Sequence, residues 1–457
     1  MHMKQHKLLL ASVAAMWTFM APMAAPAMAS NLDVAVQAAL AKSEALAAAR
    51  HDWVAAREDI GTATVTTDWS ATGSVTATHA RSKTPASGKY SDGQTGAASV
   101  SLKRNLYDGG QMVEKTKLGK LNLEAAAASY AAQEQQIVLE TIEAYLDVRE
   151  ATEGVALNRA NIEVLGAHVE AAKVRLQAGA STPTRLAEAQ ARLARGKSSL
   201  IAAETDLRNA RDDYQTITGL APNNLRPLAV PANLPADLMQ AEDVARAKHP
   251  NVRIALAKER AAESQVDSLI AAVRPNVSVT FSASETEATG TLRDKTELSA
   301  QLKLSTPLMV TNATRSKSRS VTAKISAAQS SRDSALRSVS LNVRKAFRSH
   351  RSAAAQFDAV DAELNAFKLV AQGIANEVEF GQKTDLDLQD AEQDVMDAKL
   401  RLVTVNHNIL RSAYRLKAAL GQLTVRELGV TGVVSDLNAL PGPEGPEVSM
   451  KNLIDWN

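Results

Sequence analysis

The turn Gly179-Ala-Ser-Thr182 reappears in related form as Gly381-Gln-Lys-Thr384, 202 residues further along the chain. A glycine just after one helix and a threonine that caps the next are typical of a tight turn between two helices. The same spacing relates Val75 and Val277, Leu102 and Leu304, Leu106 and Leu308, Leu186 and Leu388, Ala189 and Ala391, and Gly219 and Gly421. A constant spacing over most of each half indicates a tandem duplication.

Each of these turns follows a long segment without proline. Residues 111–177 contain no proline, and residues 313–380 contain none and a single glycine, Gly373. As helices, segments of roughly 68 residues would be about 100 Å long, which suits a coiled coil or a helical barrel rather than a globular domain. With the helix that follows each turn, they predict two helical hairpins, 110–219 and 312–421.

The hairpins belong to two repeats, residues 30–220 and 241–422, each with the predicted order helix, strand, strand, long helix, helix. Residues 221–240 contain four prolines, which end helices and predict an extended linker. Residues 423–457 contain a second cluster of proline and glycine, so we expect an irregular periplasmic C-terminal tail.

Four segments alternate polar and apolar residues, a pattern that predicts strands with one apolar face. These segments are residues 62–80, 96–105, 275–284 and 297–305. They are long enough to be tilted membrane strands, but a water-soluble antiparallel sheet with one wet face alternates in the same way. Four strands cannot close a barrel, because about eight is the practical minimum. A membrane location therefore requires oligomerisation, and three chains would supply twelve strands.

Residues 1–29 have the pattern of a signal peptide, with Lys4 and Lys7 before an apolar run and Ala27-Met-Ala29 as the cleavage site. The whole chain has 52 basic and 50 acidic residues, and removal of this segment makes the two numbers equal. A neutral chain argues against a nucleic-acid partner. The absence of cysteine excludes a disulfide scaffold, a thiolate zinc site and a lipid-modified N-terminal cysteine.

No arrangement of residues in the sequence predicts catalysis, a cofactor or a metal site. The eight histidines show no metal-ligand spacing, and there is no Gly-x-Ser-x-Gly nucleophile elbow. Gly196-Lys-Ser198 is similar to the end of a phosphate-binding loop, but it lies within a predicted helix. We therefore expect a protein that is not an enzyme.

The chain resembles the TolC family of outer-membrane export ducts over most of residues 31–425. The motifs are Leu106-Tyr-Asp-Gly-Gly110, Thr216-Ile-Thr-Gly-Leu220, Phe380-Gly381 with Thr384-Asp-Leu-Asp-Leu-Gln-Asp-Ala391, and Ala418-Ala-Leu-Gly421. The resemblance implies a mainly α protein with a transmembrane β part. It would be a homotrimer in outer-membrane lipid, whose twelve-stranded β-barrel continues into a long α-helical barrel in the periplasm.

The resemblance also implies roles for single positions. Asp387 and Asp390 would ring the periplasmic aperture as its gate, although both could simply be solvated helix-start residues that the helix dipole favours. A periplasmic adaptor (membrane fusion protein) would connect the duct to an inner-membrane ABC or RND transporter. The hairpin-turn positions that would dock this adaptor are Gly179, Thr182, Gly381 and Thr384. The positions that would form the strand-to-helix transition are Tyr107, Asp108, Gly109 and Gly110.

Three functional hypotheses follow. The first is the exit duct of a type I (ABC-driven) protein secretion system, because Gly219-Leu-Ala-Pro222 and the prolines after it look like members of that branch. The second is the outer-membrane component of a multidrug efflux pump. The third, from a different class, is a soluble periplasmic coiled-coil adaptor, which would need only one helical hairpin.

Overall fold

The computed structural model describes residues 32–65, 68–83, 88, 90–289, 294–309, 311–430 and 437, so the predicted signal peptide and most of the predicted tail lie outside the described residues. The elements of the first half are α1 Leu32–Lys42, α2 Glu44–Thr64, β1 Ser70–Lys83, β2 Tyr90–Tyr107, α3 Gln111–Gln177 and α4 Pro183–Thr218. Those of the second half are α5 Leu238–Lys248, α6 Pro250–Ala272, β3 Asn276–Ala288, β4 Lys295–Ser305, α7 Asn312–Glu379 and α8 Asp385–Ala419.

The first strand begins later than predicted. α2 continues through Thr64, and β1 begins at Ser70 rather than at residue 62. In the helix, the hydroxyls of Thr62 and Thr64 donate to carbonyls three residues earlier, at 2.8 and 2.7 Å. Ala63 between them is buried. The prediction of a strand over residues 62–64 was therefore wrong. The two threonine hydroxyls form hydrogen bonds with carbonyls of the helix itself, and Ala63 between them packs in the core.

The linker and the tail also differ from prediction at their boundaries. Asp237 caps α5, which therefore begins inside the predicted linker, 221–240. The described start of the predicted tail, residues 423–430, forms neither helix nor strand, as expected, but its apolar side chains pack with α1, α3 and α8. These buried residues are Leu423, Val425 and Val430.

The four strands form one antiparallel sheet in the order β1-β2-β3-β4, so β1 and β4 are its edges. The register aligns Ala71 with Leu102 and Leu102 with Phe281, which puts the apolar residues of neighbouring strands on one face. That face is exposed in the single chain. The other face carries serine and threonine, including Ser74 and Ser99, whose hydroxyls are 2.8 Å apart.

The helices form a layer whose order follows from their contacts. α2 and α4 pack against α3, α6 and α8 pack against α3 and also against α7, and α5 packs against α7. Lys42, the last residue of α1, ties the end of that helix to the end of α4, since its Nζ donates to the carbonyl of Thr216 at 2.6 Å. Among the described elements, the layer therefore has two free sides, α2 with α4 at one end and α7 at the other. Among the described residues, no helix is long and apolar enough to cross a membrane.

The apolar core lies around the middle of the long helices, where α1 and α5 cover them. The linker between the halves is tied to this core by two tyrosines. The hydroxyl of Tyr145 donates to the carbonyl of Arg226 at 2.9 Å, and that of Tyr414 donates to the carbonyl of Ala229 at 3.2 Å. The two halves are thereby packed as one layer that ends at the hairpin turns.

Candidate functional site at the hairpin ends

The two hairpin turns have the same backbone geometry. Gly179 has a φ of 71° and Gly381 a φ of 73°, in the left-handed region that favours glycine. In each turn the next amide donates at 2.8 Å to the carbonyl five residues earlier, on Arg175 and Glu377. This is the closing hydrogen bond of a Schellman motif. No atom lies within 4 Å of a Cβ built on either glycine, so the backbone angle rather than packing selects glycine.

The two turn threonines differ in what they bond. Thr384 caps α8, since its Oγ1 accepts from the amide of Asp387 at 3.3 Å, and the Asp387 carboxylate accepts from the Thr384 amide at 2.8 Å. The bonds from the amide and hydroxyl of Thr384 favour the charged carboxylate and lower the pKa of Asp387, and the charges of Lys383 and Arg185 act in the same direction. Thr182 makes no capping bond with its side chain.

Three contacts between opposite charges join the first hairpin to the start of α8. They are Arg175 with Asp385, Arg192 with Asp390 at 2.6 Å, and His168 with Glu392 at 2.6 Å. The histidine contact is an ion pair only when the imidazole is protonated. Because these side chains are partly exposed, each pair contributes about 0–1 kcal/mol to stability. Their main effect is to set the position of one hairpin against the other.

The sequence prediction missed two of these carboxylates, Asp385 and Glu392. The sequence contained a signal for them. Asp385 and Glu392 are seven residues apart, and so are their partners, Arg175 and His168. Residues seven apart lie on the same side of a coiled-coil helix, so two such pairs can meet across antiparallel helices. Of the predicted gate residues, Asp390 is paired with a residue of the first hairpin, and Asp387 is bonded within its own turn.

A polar cleft of about 770 Å³ lies between the two hairpin ends. Its walls include Thr182 and Thr384 of the two turns and the charged side chains Arg185, Lys383 and Asp385. The predicted docking residues of the two turns are thus brought to one end of the molecule. The walls of the cleft carry charges of both signs. Among the described residues, no group of three or more His, Cys, Asp or Glu side chains is placed to hold a metal ion.

The predicted strand-to-helix transition lies at the opposite end of α3. Tyr107 ends β2, and the Asp108 carboxylate accepts from the amide of Gly110 at 3.0 Å and from that of Met112 at 2.7 Å. Gly109 has a φ of 73°, and a Cβ there would lie 2.6 Å from the carbonyl oxygen of Ala271. The segment is a sharp bend packed on the end of α6, and glycine is needed at residue 109 for both reasons.

Duplicated hairpins on a four-stranded sheet are the fold of outer-membrane channels. The outer-membrane channel OprN aligns with a TM-score of 0.72 and 19% identity, over 86% of this chain and 90% of that chain. The sequence model of the family described as "Outer membrane efflux protein" matches residues 35–220 and 243–422. The chain therefore belongs to the outer membrane efflux protein family.

Two relatives are similar in sequence over most of the chain. The "Outer membrane efflux protein BepC" of Brucella suis biovar 1 (strain 1330) is 27% identical over 352 residues, which are 77% of this chain and 76% of BepC. The "Outer membrane protein TolC" of Vibrio cholerae serotype O1 (strain ATCC 39315 / El Tor Inaba N16961) is 22% identical over 355 residues, 75% of this chain and 79% of TolC.

The predicted family, the mainly α fold with its β part, and the outer-membrane location with a large periplasmic helical part are confirmed. The relatives are channels and not enzymes. The protein is an outer-membrane efflux channel of the kind that works in tripartite systems. Channels of this family are trimers that work with periplasmic adaptors and inner-membrane transporters.

Proposed function

We propose that this protein is the outer-membrane exit channel of a tripartite pump that expels small toxic molecules. The observation that carries the proposal is the match of both halves to the efflux family, together with a relative that is itself named an efflux protein. Type I protein secretion is the second candidate, and the sequence from Gly219 to Pro222 with the prolines that follow favours it. The two candidates share the channel and differ in cargo and in the inner-membrane transporter, RND or ABC.

The free edges of the single chain support a trimer. β1 and β4 each leave one row of main-chain groups unpaired, and lipid does not tolerate such edges. If β4 of one copy pairs with β1 of the next, three copies close a wall of twelve strands. The same ring brings α7 of one copy to α2 and α4 of the next. The exposed apolar face of the sheet would then be covered by outer-membrane lipid.

The hairpin ends would form the periplasmic entrance and the docking surface for an adaptor. The contacts of Arg175, Arg192 and His168 with α8 hold the second hairpin against the first, so their release would let the hairpins part. We keep Asp387 and Asp390 as entrance residues on this basis. Asp390 would act by holding Arg192, and Asp387 by fixing the first turn of α8.

Genetic complementation separates the two cargo classes. The gene would be deleted in its host and restored on a plasmid, with two readouts: the minimum inhibitory concentrations of hydrophobic dyes and detergents, and the amount of protein in the medium. If the channel serves efflux, the deletion strain should be hypersensitive to the dyes and detergents, and the plasmid should reverse this. The amount of protein in the medium should not change. Loss of one or a few exported proteins at normal dye resistance would replace efflux with type I secretion. A deletion without either effect would contradict both.

A further inference from the structure

α7 carries a strong positive charge over the part nearer the sheet. Residues 312–357 contain one acidic residue, Asp333, and ten basic residues. These are Arg315, Lys317, Arg319, Lys324, Arg332, Arg337, Arg344, Lys345, Arg348 and Arg351. Within the chain, Arg332 pairs with Glu259 of α6 at 2.5 Å, and Arg344 pairs with Glu242 of α5 at 2.5 Å. In the described part of the chain, none of the other eight forms an ion pair.

The opposite free side of the helical layer carries exposed carboxylates. Asp52 and Asp59 lie seven residues apart on α2, and Asp213 lies near the end of α4. None of the three has a basic partner among the described residues. On α7, Arg337 and Arg351 are 14 residues apart, which is two such spacings, and Arg344 between them is bound to Glu242 of α5. Charges repeated every seven residues beside a helical seam are the devices that set pairing and register in coiled coils.

Contacts inside the chain show which residues of the two free sides lie at the same height along the helices. Two residues that contact each other across neighbouring helices lie at the same height, and equal numbers of residues span equal lengths of the two helices. Carried from helix to helix, this count places Asp213 at the height of about residue 353 of α7, within one turn of Arg351. The contacts used are Arg159 with Glu204, Arg411 with Glu150, and Arg401 with Glu363. They link α4 to α3, α3 to α8, and α8 to α7.

The same count applies nearer the sheet. It places Asp59 level with about residue 327 of α7 and Asp52 level with about residue 334. Lys324 and Arg337 are therefore each within one turn of a carboxylate on the opposite side. The contacts used are Ile60 with Gly119, Lys117 with Asp267, and Glu259 with Arg332.

We infer that neighbouring copies of this chain join along an ionic seam, in which Lys324, Arg337 and Arg351 of α7 face Asp59, Asp52 and Asp213 of the next copy. The inference rests on the proposed trimer and adds to it the residues that fix the register between copies. Opposite charges at matching heights stabilise one alignment of the two sides. A shift of either side along the seam would separate these three pairs.

The free sides also have the apolar and small residues that a helical seam needs. Leu341 of α7 is 51% exposed and Ile201 of α4 is 64% exposed in the single chain. Exposed Ala355 and Ala359 lie on α7, and exposed Ala194 and Ser198 lie on α4. Small side chains let two helices approach closely, and the large ones fill the space that remains. By the same count of residues, Ile201, Ala194 and Ser198 lie nearer the hairpin turns than Leu341, Ala355 and Ala359, so a second copy would cover the two sets at different heights.

Charge reversal with rescue tests the seam. The full-length protein would be made with Lys324→Glu, Arg337→Glu and Arg351→Glu (basic-reversed), with Asp52→Lys, Asp59→Lys and Asp213→Lys (acid-reversed), or with all six changes. Mass in detergent, measured by light scattering with correction for bound detergent, gives the trimer fraction over a dilution series. We expect each triple variant to dissociate at a concentration at least tenfold higher than the wild type. The six-fold variant should return to within about threefold.

A matched control reverses three exposed basic residues that lie inside the layer and not at its free sides, Lys120→Glu on α3 with Arg253→Glu and Arg260→Glu on α6. It should dissociate like the wild type. Far-ultraviolet circular dichroism of every variant checks that the helices are formed. Raising the salt concentration should weaken the wild-type trimer, because salt screens exposed charge pairs.

The outcomes separate the seam from the proposed channel. A wild-type protein that is not a trimer contradicts the proposed assembly itself. A trimeric wild type whose triple variants dissociate like the control contradicts the seam and leaves the channel in place. Triple variants that dissociate without rescue in the six-fold variant also contradict the seam, since the charges would then act separately and not as facing pairs.

Discussion

Arg192 of α4 donates to Asp390 of α8 at 2.6 Å, so a residue of the first hairpin holds the last helix of the second. Arg159 and Glu204 form the same kind of contact at 2.8 Å, but within the first hairpin. The two pairs are chemically alike and differ in what they connect. Variants of the two pairs can therefore be compared. Both lose a surface charge pair, but only a variant of Arg192 or Asp390 also releases one hairpin from the other.

We expect Arg192→Glu to open the periplasmic entrance. Two carboxylates would then face each other across the hairpins, and their repulsion would part them, so single-channel conductance in a planar bilayer should rise. The free energy of unfolding should change by no more than about 1 kcal/mol, because the pair is partly exposed.

The double variant Arg192→Glu with Asp390→Arg should return the conductance to the wild-type value, since it restores the contact with the charges exchanged. Arg159→Glu is the control and should leave conductance unchanged. An equal rise in that control would mean that charge in the wall, and not release of a hairpin, sets the conductance.

The cap of α8 should depend on pH. Thr384→Ala removes the capping hydroxyl and should destabilise the start of α8 by about 1 kcal/mol. The pKa of Asp387 is lower in the folded protein than in the unfolded chain, so its contribution is present above the unfolded pKa and is lost as the pH falls through the folded value. The protection of the first amides of α8 against hydrogen exchange, measured relative to the intrinsic exchange rate at each pH, should therefore decrease in acid. Thr182→Ala should have no such effect, because Thr182 makes no capping bond.

Glu134 should have the opposite pH dependence. Burial raises the pKa of its carboxyl, and the hydrogen bond from the amide of Val425 at 3.2 Å opposes this only in part. A raised folded pKa means that the carboxyl contributes stability at low pH and loses it as the pH rises through that value. Glu134→Gln should therefore raise the melting temperature at pH 7 and not at pH 4. The exposed control Glu163→Gln should change neither, and a stabilisation by Glu134→Gln that is equal at both pH values would contradict the assignment.

The two faces of the sheet should differ sharply in tolerance to charge. Val75 lies on the apolar face and is 86% exposed in the single chain, whereas Thr76 lies on the other face. If lipid covers the apolar face, Val75→Arg should cost about 2–4 kcal/mol near the middle of the membrane. Thr76→Arg should cost little. The measurement is the free energy of unfolding from lipid vesicles, and equal costs for the two variants would contradict the lipid-facing assignment.

Much of the fold follows from local rules that the sequence displays. Gly179 and Gly381 occupy left-handed positions, and such positions can be identified from residue type alone. The end of α2 could not be predicted in this way, because Thr62 and Thr64 suit a helix or a strand and the packing of Ala63 decides between them. The contacts between the hairpins were also missed, since the partners of Asp385 depend on how two distant segments pack.

A comparison of two glycines tests whether the strand-to-helix bend is fixed by backbone and packing. Gly109→Ala should destabilise the protein, because φ is 73° and the new Cβ would lie 2.6 Å from the carbonyl oxygen of Ala271. Gly373→Ala should instead stabilise it by about 0.5–1 kcal/mol, since Gly373 lies inside α7 with no atom within 4 Å of a new Cβ. Thermal unfolding of the two variants in one detergent measures both shifts. Stabilisation by Gly109→Ala would mean that β2 joins α3 without the close approach to α6, and the bend would then have to be set by Asp108 and Gly110.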